Sequence, residues 1–158
     1  MKRMRPLSRS LLLAVLSLSG ILAFSARADV DFSGLDKAIT NLFSVLDKLV
    51  VDVPKVGTSE GATQVLDAWT GANSAVADAG EAVVRENPGF ETNPPPRLTQ
   101  YFRRCTTLPS KYTPVTAGIG SLIKQYRQEP NFASALGRYQ RSLERLHLLL
   151  NLGVDDHD

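Results

Sequence analysis

Apolar residues recur at helical spacing through most of the chain beyond residue 33, and the stripes they form predict four main helices and one short one. Leu35, Ile39, Leu42, Leu46 and Leu49 follow at steps of four, three, four and three, which puts them on one face of a helix, with Phe43 widening the stripe. Ser33, three residues before Asp36, makes a start resembling a capping box. Pro54 removes an N–H and pushes Val53 toward extended geometry, so this helix is expected to end near Val51.

Thr58 or Ser59 is expected to cap a second helix whose stripe is Ala62, Val65, Trp69, Ala72, Val76 and Val83. Gly71, Ala75, Ala77, Ala79, Gly80 and Ala82 make this segment small-sided, so neighbouring backbones can come close, although each Gly costs about 1 kcal/mol of helix propensity. Trp69 is its one large anchor. Asn87-Pro88-Gly89 ends the segment, and Pro94-Pro95-Pro96 follows in a stiff connector spanning residues 87–97.

A short helix is expected over Arg97–Thr106, with Leu98, Tyr101, Phe102 and Cys105 on one side. Thr113 and Pro114 read as cap and first residue of the next helix, with Val115, Ile119, Leu122, Ile123 and Tyr126 as its apolar face. In the last helix Phe132, Leu136, Tyr139, Leu143, Leu146 and Leu150 form the most regular stripe of the chain, with Gly153 as its stop. That stripe suits an intramolecular core and would also suit a seam between two molecules. No alternating run is long enough to make a sheet, so the fold class is all-α: a small helical bundle of four main helices plus one short helix.

The segment before this pattern is of another kind. Lys2, Arg3, Arg5 and Arg9 precede an apolar run from Leu11 to Phe24, and Ala26-Arg27-Ala28 offers small residues where a signal peptidase reads. Residues 1–28 are therefore expected to be a cleavable signal peptide, too short in its apolar run to span a bilayer. The mature chain would lie in the periplasm or be secreted, without stable insertion in a membrane. Residues 29–154 form the bundle domain and residues 155–158 an acidic tail.

Removing the leader reverses the charge: the whole chain is +2, but the part from Asp29 onward holds 13 bases and 16 acids, a net of −3. The basic pI thus gives no argument for nucleic acid. Residues 29–91 hold 11 acids and four bases, and residues 92–154 nine bases and two acids, so the halves stand at −7 and +7. Either the halves face each other and compensate, or the second half carries a basic surface for an acidic partner.

The catalytic inventory is thin. From Asp29 onward the imidazoles are His147 and His157 and the thiol is Cys105; no phosphate loop, zinc pattern or nucleophile elbow occurs. Arg103 and Arg104 beside Cys105 could lower its pKa, against which stand a buried structural thiol and an intermolecular disulfide. His147 is expected at the border of the core. Met1 and Met4 leave with the leader, which argues against Met/His haem ligation, and the tail cannot preorganise a metal shell; no cofactor and no metal is expected.

Arg138, Arg141 and Arg145 stand three and four residues apart, along one stripe of the last helix. Either they form a solvated face, some of them pairing acids of the first helix such as Asp36 and Asp47, or they join Arg103 and Arg104 in contacting a protein partner. These readings point to an exported, non-catalytic interaction protein, with the partner unidentified and the oligomeric state open. The alternative is a carrier of a small apolar ligand, held beside Trp69 where small residues leave room.

Overall fold

The computed structural model describes residues 30–152, all of whose regular structure is helical. The expected signal peptide, the expected Gly153 stop and the acidic tail lie outside the described residues. Five α-helices follow in chain order: α1 (Ser33–Asp52), α2 (Ser59–Glu86), α3 (Pro96–Thr106), α4 (Thr113–Tyr126) and α5 (Pro130–Leu150). Single 3-10 turns at Val53–Lys55, Pro88–Phe90 and Ser110–Tyr112 lie in the first three connections.

The stripe of α1 is buried as its spacing requires, but its start differs from expectation. The Ser33 hydroxyl caps nothing; Phe32 holds the cap position, and the Ser33 amide donates to the Asp31 carboxylate at 2.8 Å. That bond is the first cause holding the Asp31 carboxyl below its ordinary pKa. Phe32 is then free to bury, its ring 5.6 Å from that of Tyr101, with the Arg97 guanidinium 4.9 Å above it. At α2 the expected cap is present: the Thr58 hydroxyl accepts from the Gly61 amide at 3.1 Å. Thr113 does not cap α4, because the preceding 3-10 turn runs straight into that helix with Tyr112 at the cap position.

Helix α2 is the spine of the bundle. Its most extensive contact is with α5, and α1 packs on it as an antiparallel hairpin partner, while α3 leans on α5 and α4 touches α1, α2 and α5. Cross-links between α2 and α5 rise together in number, from Asp67 with Arg138, through Asn73 with Ser142, to Asp78 with Arg145. The two helices therefore run parallel. A parallel pair needs a long return, and the proline connector, α3 and α4 supply it.

Small residues set how closely these helices meet. An ideal Cβ on Gly80 would stand 2.6 Å from Phe102 Cε1 and 3.2 Å from Leu149 Cδ1, and one on Gly118 would overlap Val53. On α5 the buried residues are Phe132, Ala135, Ser142, Leu146 and Leu149, whereas Leu136, Tyr139, Leu143 and Leu150 of the expected stripe are half-buried. Ala135 and Ser142 allow the close approach, and the leucines line its edge.

Candidate functional site

The basic residues singled out in the sequence separate into two groups once the fold is built. Arg138 Nη2 lies 2.6 Å from Asp67 Oδ1, and Arg145 Nη2 lies 2.7 Å from Asp78 Oδ1 and 2.8 Å from Glu81 Oε1. Both arginines reach acids of α2, not of α1. Asp36 and Asp47 of α1 are taken instead by Arg97 at 3.9 Å and Lys111 at 2.7 Å. Every ion pair among the described residues thus joins an acid of residues 29–91 to a base of residues 92–154. These side chains are more than a third exposed, so each pair contributes at most about 1 kcal/mol.

Arg103, Arg104 and Arg141 are the residues of the basic set without an ion-pair partner among the described residues, and all three are exposed. Arg141 lies on α5. Arg103 and Arg104 occupy the last turn of α3, where the helix dipole favours cations.

Arg104 borders a cleft of about 290 Å³ between α1 and the α3–α4 connection. Its guanidinium stands 5.8 Å above the half-buried Phe43 ring, which stacks on Tyr112 at 5.9 Å between centroids and 24° between planes. At the other end the Lys111 ammonium covers the Tyr112 ring at 4.6 Å. Lys111 Nζ and the Tyr112 hydroxyl both donate to Asp47 Oδ1, at 2.7 and 2.9 Å. The Lys111 bond and then the Tyr112 bond hold the Asp47 carboxyl below its ordinary pKa. The cleft has an aromatic wall, one carboxylate already engaged twice, and one guanidinium with no acid.

The chain matches no protein-family model, no curated protein and no solved structure.

Trp69 is 3% exposed and its ring packs on Tyr139 at 5.2 Å. Burial pushes the Tyr139 hydroxyl up to about 12. Trp69 lines none of four surface clefts found among the described residues. The space beside Gly80 holds the end of the Phe102 ring.

Cys105 is buried, and its thiol donates to the Tyr101 carbonyl. Burial pushes its pKa up to about 11, outweighing the opposing pull of Arg104. Of the alternatives the sequence left open, burial favours the structural thiol over a thiolate, because α3 turns Cys105 inward while Arg103 and Arg104 are exposed. His147 does not border the core: it is exposed, between buried Leu146 and Leu149. Among the described residues no group of three or more His, Cys, Asp or Glu could hold a metal ion, and no helix is long and apolar enough to cross a membrane.

Sequence reasoning placed Arg104 in the site but missed the rest of the cleft. Phe43 and Asp47, one helical turn apart, share the flank of α1. Lys111 and Tyr112 sit beside them because Pro109 opens the short turn that precedes α4. The available signal was the Lys-Tyr pair after a proline, which becomes legible only when α1 is known to face it.

Proposed function

We propose that this chain is an exported, non-catalytic helical protein that binds another envelope or secreted protein through a basic face centred on Arg103 and Arg104, two adjacent cations that its own fold leaves without an acid partner among the described residues. One observation carries the reading. The fold neutralises Arg97, Lys111, Arg138 and Arg145 internally and leaves Arg103 and Arg104 exposed and without an acid partner among the described residues, Arg104 at the rim of an aromatic cleft. Guanidinium forks suit carboxylates, and arginine with exposed aromatic surface is the composition enriched where proteins meet. Arg138 and Arg145 act in this reading as internal fasteners, and Arg141 as a solitary contributor. The packing of Tyr139 on Trp69 and of Phe102 under Gly80 favours this reading over a carrier, which needs room at those places.

The test is affinity recovery from the native envelope with the parent protein, with R103E/R104E, and with K124E as a charge control. A specific partner retained by the parent and by K124E, and lost at least tenfold from R103E/R104E, is expected; equal retention by all three sinks the assignment. Amino-terminal sequencing of the exported protein is expected to begin at Asp29. Material beginning at Met1 would remove the leader from the proposal.

A further inference from the structure

Resting on the basic-face reading, we propose that the cleft beside Arg104 seats one apolar side chain, preferably aromatic, from an acidic segment of the partner, with Arg104 receiving the neighbouring carboxylate.

Size comes first. At about 290 Å³ the cleft falls at the lower edge of the roughly 300–1,000 Å³ typical of sites for drug-sized ligands, so it suits a single side chain. Phe43, only half covered by its own chain, and Pro109 line it, with the buried Tyr112 ring behind them. An incoming ring can stack on Phe43 in the offset or tilted geometry that aromatic pairs prefer, at about 4.5–7 Å between centroids.

Charge then selects what accompanies the side chain. The one carboxylate lining the cleft is Asp47, whose Oδ1 already accepts from Lys111 and Tyr112. Lys111 is thereby neutralised, and Arg104 keeps its full charge at the rim. A cation at the end of α3 would be accounted for by the helix dipole if it stayed over the last carbonyls. Arg104 instead lies over a ring of another helix, held by a cation–π contact that leaves guanidinium edges for a carboxylate. Arg103, its neighbour in sequence, raises the local positive potential and disfavours a basic segment.

The protein expressed with its own leader and recovered after export is titrated with three blocked tripeptides, Glu-Phe-Glu, Glu-Ala-Glu and Lys-Phe-Lys, and followed by amide and Arg104 Nε–H NMR shifts. Glu-Phe-Glu is expected to shift signals of Phe43, Arg104 and Tyr112 saturably, with the other two peptides at least tenfold weaker. R104Q, a change at an exposed position, should weaken Glu-Phe-Glu at least fivefold while Trp69 fluorescence stays native. Equal binding of the three peptides, shifts confined to α5, or an unaltered R104Q titration would each overturn the inference. If Glu-Phe-Glu fails but R103E/R104E still releases the captured partner, the cleft assignment falls and the basic-face reading stands. If the peptide binds as described while charge reversal leaves partner capture intact, the cleft assignment stands and the basic-face reading falls.

Discussion

Gly80 and Gly71 lie on the same helix, and replacing each by Ala should move stability in opposite directions. Ala improves helix propensity by about 1 kcal/mol at either place. At Gly71 nothing lies within 4 Å of the added Cβ and the site is exposed, so Gly71→Ala should stabilise by about 0.5–1 kcal/mol. At Gly80 the Cβ would stand 2.6 Å from Phe102 Cε1 and 3.2 Å from Leu149 Cδ1, and Phe102 is fully buried. A ring in a close-packed interior cannot retreat without displacing its own neighbours, and such overpacking costs about 1–3 kcal/mol or more. The clash therefore wins, and Gly80→Ala should destabilise by about 1–2 kcal/mol net. Trp69, the single tryptophan and buried at 3% exposure, reports unfolding in urea by fluorescence. A Gly80→Ala protein as stable as the parent would mean that α2 has empty space beside Phe102. It would refute the close-packing argument and reopen the carrier reading.

Three further outcomes are expected. Arg145→Ala should cost about 0.5–1 kcal/mol at low salt, because its two acid partners are half-exposed, and less in 1 M NaCl; a loss that salt does not reduce would contradict the screened-pair account. Cys105, with its pKa raised to about 11, should resist alkylation at pH 7.5 in the folded protein and react in urea; rapid modification of the native state would restore the thiolate reading. The same shift has a sign in stability. A folded pKa above the ordinary 9.0 leaves its contribution intact below about pH 9, and the contribution is lost as pH rises toward about 11. Urea midpoints should therefore show the parent losing about 1 kcal/mol more than Cys105→Ala between pH 8 and pH 10, and parallel pH profiles would exclude the effect.

The local pattern of this chain was legible because it repeats a local rule. Leu35, Ile39, Leu42, Leu46 and Leu49 are buried where a 3.6-residue period puts them, Thr58 caps α2, and Pro96 starts α3; Val53, expected to be extended before Pro54, instead stays helical and leads into a 3-10 turn. The all-α class follows from such periodicity alone, and so does the division of charge at the proline connector. Tertiary structure decided which helix each half meets. The parallel pairing of α2 and α5 sets Asp67, Asp78 and Glu81 against Arg138 and Arg145, whereas an antiparallel pairing of the same sequence would have matched other residues. It also turned Ser142, in place of Leu143, toward the seam, because helices in contact favour small residues at their closest approach, and spacing alone does not register size. The cleft beside Arg104 is the extreme case. Its walls come from Phe43, Arg104 and Tyr112, separated by up to 69 positions, and their meeting depends on how α1 lies against the α3–α4 connection. A sequence states which side chains exist and their period along one helix. Only packing determines which charges are spent on one another and which are left to face a partner.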